Sequence, residues 1–240
     1  MTDRENGRGH SRIRLAARWG GAMLLIAATA SPVTAIGANI ETRVRSDDGP
    51  VLNAVVHATR TDGESLPRPA QPEAVMDQVG REFAPHVLPV LAGTSVRFPN
   101  SDDTRHHVYS FSAAKTFELQ LYHGETARPV TFGEPGVVTL GCNIHDWMLG
   151  YILVLDTPAF ARTSDNGTGR IADVPPGEYR VEVWHPRMVD GTTPEPRTIS
   201  VDDDATATLR FDIDLSPARD QGQRGFGGQD DESLDEAFER

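Results

Sequence analysis

Apolar residues in this chain recur at every second position, in short runs cut by Gly, Pro, Asn and Asp. The clearest run is Ala205-Thr-Ala-Thr-Leu-Arg-Phe-Asp-Ile-Asp-Leu215. Successive side chains of a strand point to opposite faces, so Ala205, Ala207, Leu209, Phe211, Ile213 and Leu215 share one face. Thr, Arg and Asp take the other. Tyr179, Val181 and Val183 alternate with Arg180 and Glu182 in the same way. Between apolar runs, Pro175-Pro-Gly-Glu178 reads as a turn, because proline fixes φ and glycine accepts φ > 0. Past residue 38 almost nothing has helical period. The expected class is all-β, built from strands with one wet face.

Residues 1–38 read as a secretory signal peptide. Arg4, Arg8, Arg12, Arg14 and Arg18 precede a short apolar run, Gly21 to Ala30, and Ala35 or Ala38 offers the cleavage site. That run is shorter than the ~20 residues of a membrane span, so the mature chain is expected to be exported to the periplasm without a span. The leader carries five Arg against two acids. The mature chain is therefore more acidic than the full sequence, whose net charge is −12. Such a charge repels nucleic acid and anionic membranes and favours basic protein partners.

Two modules separate along the chain, at residues 72–156 and 158–215. Residues 63–71 form a linker, and 216–240, rich in Gly, Gln, Asp and Glu, are expected to be a disordered acidic tail. Residues 39–62 read as two strands around Asp47-Asp-Gly-Pro50. They are expected to pair with the C-terminal strands, so that 72–156 is inserted in a split sandwich; an N-terminal extension of 72–156 is the alternative.

The chemistry concentrates in Leu140-Gly-Cys-Asn-Ile-His-Asp-Trp-Met-Leu-Gly-Tyr-Ile-Leu-Val154, which holds the single cysteine. Cys142, His145 and Met148 offer a thiolate, an imidazole and a thioether in the spacing C-x2-H-x2-M. Soft sulfur with imidazole suits copper, and two His, one Cys and a weak axial Met describe a blue-copper electron-transfer site. A second imidazole is available in Phe98-Pro-Asn-Ser-Asp-Asp-Thr-Arg-His-His-Val108, as His106 or His107. Only one of that pair can face a metal from a strand. A lone cysteine in an oxidising compartment cannot close an internal disulfide; burial as an inert hydrophobe is the plain alternative. One cysteine also excludes a binuclear copper site on a two-cysteine loop, and a Met in the set argues against structural zinc. For cysteine-nucleophile catalysis no third orienting residue stands out, and no glycine loop cradles phosphate.

Residues 72–156 resemble the cupredoxins, amicyanin and plastocyanin in particular. The likeness rests on Phe83-Ala-Pro85, Val90-Leu-Ala-Gly-Thr-Ser-Val-Arg-Phe-Pro-Asn100, His106-His-Val108, Pro135-Gly136 and Gly150-Tyr-Ile-Leu-Val154. The resemblance implies a Greek-key sandwich holding one copper ion through His106, Cys142, His145 and Met148. It implies that His145 reaches the surface to pass the electron, beside an apolar docking patch including Trp147. This chain departs from the family at His107, where Asn is usual, and at Asp146, where Pro is frequent. A carboxylate at 146 is expected to favour a protonated His145. His57, His86, His123 and His185 stand singly and are expected to be surface or satisfied core residues.

Asp165-Asn-Gly-Thr-Gly-Arg-Ile-Ala-Asp-Val-Pro-Pro-Gly-Glu-Tyr-Arg-Val-Glu-Val183 looks like the carboxypeptidase-regulatory or transthyretin-like sandwiches, and Ser46-Asp-Asp-Gly-Pro-Val-Leu-Asn-Ala-Val-Val56 is similar to their opening. Exported proteins combining the two modules resemble those labelled methylamine-utilisation proteins, although fold similarity does not transmit substrate. The expected function is a periplasmic single-electron carrier working between redox proteins, and not an enzyme. A copper chaperone and a metal-free binding module are the alternatives.

Overall fold

The computed structural model describes residues 37–125 and 128–217. The expected leader, apart from Gly37 and Ala38, and the tail beyond Pro217 lie outside the described residues. The chain is all-β: every regular element among the described residues is a strand. Among those residues no helix is long and apolar enough to cross a membrane.

The first strand, β1 (Ala38–Ser46), is central to one sheet. It runs parallel to β18 (Thr206–Asp212) and antiparallel to β15 (Thr168–Val174), with β2 (Gly49–Pro50) on its end. The facing sheet has the order β14-β3-β16-β17, from β14 (Phe160–Arg162), β3 (Val55–Arg60), β16 (Gly177–Trp184) and β17 (Arg197–Val201). Period-2 alternation explains which residues meet between them. Ile40 and Val44 from β1, Val56 and Ala58 from β3, Tyr179, Val181 and Val183 from β16, and Phe211 from β18 close one core. Residues 38–60 therefore share their core with residues 159–213, across the sequence between.

That intervening stretch forms a second set of sheets. One joins β12 (Gly136–Leu140), β13 (Gly150–Leu155) and β7 (Val87–Leu91). The pair β9 (His106–Ser112) and β10 (Lys115–Tyr122) meets it through a backbone bridge between Tyr109 and Gly141. Opposite lie β4 (Glu73–Val75), β8 (Thr94–Arg97) and β11 (Val130–Phe132). The hairpin of β5 (Asp77–Val79) and β6 (Glu82–Ala84) meets Asn100 through Gln78. Phe83, Phe98, Phe132, Val108, Leu140 and Ile152 fill the space between, with Cys142 and Met148 in the same cluster. Each such aliphatic or aromatic side chain contributes about 1.5–3 kcal/mol by leaving water.

A smaller cluster joins the two cores. Val55 of the first packs with Val87, Leu153 and Leu155 of the second, flanked by Tyr151, Phe160 and Trp184. Arg162 crosses the same junction to donate to the Val87 carbonyl.

Candidate metal centre

Three of the four residues singled out from the sequence come from one tight loop between β12 and β13. Cys142 stands directly after Gly141, and the Met148 N–H donates to the His145 carbonyl at 2.9 Å, turning the loop back. Two glycines allow the close approaches at its ends. A Cβ on Gly141 would lie 2.7 Å from Tyr109 Cζ, and one on Gly150 would lie 2.7 Å from Phe83 Cβ.

His106 opens β9 on the inward phase, with Val108 and Ser110, and all three are buried. Its Nδ1 lies 3.8 Å from Cys142 Sγ, and His145 Nδ1 lies 3.9 Å from the same sulfur. One donor atom from each of the three residues falls within 4.8 Å of the others. Met148 is buried in the core cluster that holds Cys142. His107 takes the outward phase: its Nε2 meets Glu118 Oε1 at 2.8 Å, and its buried Nδ1 has no partner. The structure thus gathers His106, Cys142 and His145, and turns His107 away.

The segment before His106 is braced by side chains. Asn100 donates to the carbonyls of Thr104 (2.9 Å) and Tyr122 (3.0 Å) and accepts from the Asp102 N–H (3.0 Å). Asp102 accepts from His106 Nε2 at 2.7 Å, and from the N–H groups of Gly80 and Arg81 at 2.5 and 2.8 Å. Burial pushes the Asp102 carboxyl up, but the hydrogen bonds from Arg81, His106 and Gly80 outweigh it and hold the group below the usual carboxylate range. Sequence reasoning misses Asp102. Its only local signal is the four-residue step to His106.

His145 is partly exposed. Its ring sits edge-on to Trp147, with centroids 5.1 Å apart, and Trp147 and Ile144 are exposed beside it. Desolvation lowers its pKa first, His106 and Arg81 lower it further, and Asp102 opposes them. The expectation that Asp146 would favour a protonated His145 is therefore corrected. Asp146 is exposed and is not among the charges acting on that ring.

Two histidines that stand singly in the sequence meet in space. His86 and His185 line one cleft of about 480 Å3, with Tyr151 and Arg187. His185 is buried, accepts the Arg187 N–H on Nδ1 at 3.2 Å, and has its pKa pushed down to about 4, by burial first and then by Arg187.

The donor spacing provides a test of fit. Bonds of about 2.3 Å to thiolate and about 2.05 Å to imidazole, the values for zinc, place S and N about 3.8 Å apart at an angle near 120°. A tetrahedral angle would bring them to about 3.6 Å. The observed 3.8 and 3.9 Å are spacings at which one ion can be held by all three donors. One thiolate and two imidazoles at this spacing fit a transition-metal ion.

No protein-family model matches the chain, and no curated protein matches it. Among solved structures it is similar to a copper-containing nitrite reductase from Thermus scotoductus SA-01, at 27% identity over 39% of this chain and 24% of that one, with a TM-score of 0.33. The chain thus spans about a quarter of that reductase. It is also similar to a purple cupredoxin from Nitrosopumilus maritimus, at 23% identity over 34% of this chain and 99% of that one, with a TM-score of 0.31. A reduced amicyanin variant matches at 22% identity over 41% of this chain and 99% of that one, with a TM-score of 0.33. These likenesses each cover less than half of the chain.

Proposed function

We propose that this chain is a periplasmic mononuclear type 1 copper protein that carries single electrons between redox proteins. The observation that carries the reading is the convergence of His106 Nδ1, Cys142 Sγ and His145 Nδ1, with Met148 buried in the core cluster that holds Cys142. Copper, when bound, supplies a one-electron couple.

The chain's own residues supply the rest. Cys142 would hold the ion as thiolate, because metal ligation requires a deprotonated thiol. Met148, buried in the same cluster, would offer a weak thioether ligand that tunes the potential. His106 is buried and fixed on a strand, whereas the partly exposed His145 reaches the surface beside Trp147 and Ile144. That asymmetry makes His145 the electron port and the apolar residues its docking patch. The acidic net charge, −12 over the full sequence, favours basic partners.

Residues 38–60 and 158–215 constitute the second sandwich in this reading, with 72–156 inserted between them. The buried Ala38 opens β1, so a leader cut after Ala35 leaves that strand whole and is preferred to one after Ala38. The second sandwich is read as a support for the copper module through the Val55–Leu155 junction.

The test is retention in both redox states. A carrier keeps its copper against a competing chelator before and after reduction by ascorbate. Quantitative release on reduction would instead identify a copper-delivery protein, and failure to bind either ion would identify a metal-free binding module.

A further inference from the structure

We propose that Asp102 is a positioning residue: its carboxylate holds His106 with the proton on Nε2, leaving the Nδ1 lone pair facing Cys142. The inference rests on the copper reading for its purpose, but its geometry stands in the protein alone.

An ionised carboxylate is an acceptor only, and a neutral imidazole has one donor and one acceptor nitrogen. The 2.7 Å contact between His106 Nε2 and Asp102 Oδ2 therefore places the ring proton on Nε2. His106 is fully buried, so no solvent competes for that proton. The other nitrogen, 3.8 Å from Cys142 Sγ, is then free to donate its lone pair.

Asp102 is itself held from two directions. On one side, Gly80 and Arg81 have φ of 65° and 62°, a left-handed pair that aims two successive N–H groups at the two carboxylate oxygens. The conformation is unfavourable for a non-glycine residue, and Asp102 is what it satisfies. On the other side, the Asp102 N–H is pinned by Asn100, whose amide is anchored to Thr104 and Tyr122. Tyr122 lies opposite His106 in the β9–β10 ladder. The imidazole is thus braced through the β5–β6 hairpin and through its neighbouring strand.

An amide cannot take the place of this carboxylate. Three donors converge on its two oxygens, and asparagine has one oxygen and two N–H donors. In Asp102→Asn, either the Gly80 N–H or the Arg81 N–H and His106 together would face an amide nitrogen. In the second case the amide donates to His106 Nε2 and drives the ring proton onto Nδ1, towards Cys142.

Nitrogen-15 NMR of the ring in the metal-free, thiol-reduced full chain tests this directly. The wild type should show His106 protonated on Nε2. D102N should bind cupric ion about 10–100-fold more weakly, the usual cost of losing a carboxylate behind a metal-bound imidazole, and should move the proton towards Nδ1 in the orientation whose amide nitrogen faces His106. A wild-type proton on Nδ1 would overturn the proposal without any variant being needed. So would a D102N protein that keeps both the Nε2 proton and wild-type affinity. If the wild type binds no copper, the metal reading fails, and the wild-type tautomer alone decides for or against Asp102.

Discussion

The Tyr109 ring lies across Gly141 so closely that a Cβ at 141 would fall 2.7 Å from its Cζ and 2.8 Å from its hydroxyl oxygen. The two residues also pair through their backbones, N–H to carbonyl at 3.1 and 3.0 Å. This contact fixes the start of the Cys142 loop against the strand that carries His106. Gly141→Ala should therefore destabilise the metal-free protein by about 1–3 kcal/mol, the usual cost of overpacking. Urea unfolding measures it, and Tyr109→Ala in the same chain should recover part of the loss. A neutral G141A would show that the ring can move aside.

The histidine pair separates cleanly. His106→Ala should abolish high-affinity copper binding. His107→Gln should leave it in place and cost no more than about 1 kcal/mol for the lost bond to Glu118. The opposite outcome would exchange their roles. Titration with cupric ion, read beside thermal unfolding, distinguishes the two.

Met148→Leu keeps the volume of a buried side chain, so the metal-free protein should change by less than about 1.5 kcal/mol. Copper should remain bound with a shifted reduction potential, because the axial ligand is gone. An unchanged potential would return Met148 to a packing role.

Stability should fall with acid through His185. Its folded pKa of about 4 lies below the ordinary value of 6.5, so the unfolded chain binds its proton first as pH drops. The contribution is present in full above pH 6.5, wanes from there down towards pH 4, and is gone below it. Between pH 7.5 and 5 the loss is about 2 kcal/mol. His185→Asn, which retains an acceptor for the Arg187 N–H, should show a shallower pH dependence in urea unfolding by that amount.

The split arrangement predicts the behaviour of the linker. Because β1 lies between β15 and β18, cleavage within 63–71 should leave residues 38–60 attached under native conditions. Their prompt loss from the nicked protein would contradict the arrangement.

Local features are the ones legible in the sequence. The period-2 run at Tyr179, Val181 and Val183 reads directly as a face and is buried as one. Along β18 the same pattern is weaker in space: Phe211 is buried, but Ala207 and Leu209 are only half-buried at the rim of the core. Cys142, His145 and Met148 stand within seven residues, so their spacing announces a donor set before any fold is known. Which of His106 and His107 faces Cys142 depends on strand phase, which two adjacent identical residues cannot declare. Asp102 is illegible for another reason. Two of its three donors are Gly80 and Arg81, in a hairpin that only tertiary packing brings to it. His86 and His185 likewise become neighbours only where the two sandwiches meet.

The most direct measurement is the visible absorption of the purified mature protein after loading with cupric ion, beside Cys142→Ser. The account predicts an intense blue thiolate-to-copper band that ascorbate bleaches and that the serine variant lacks. A colourless wild type, or a band that survives in Cys142→Ser, would contradict it.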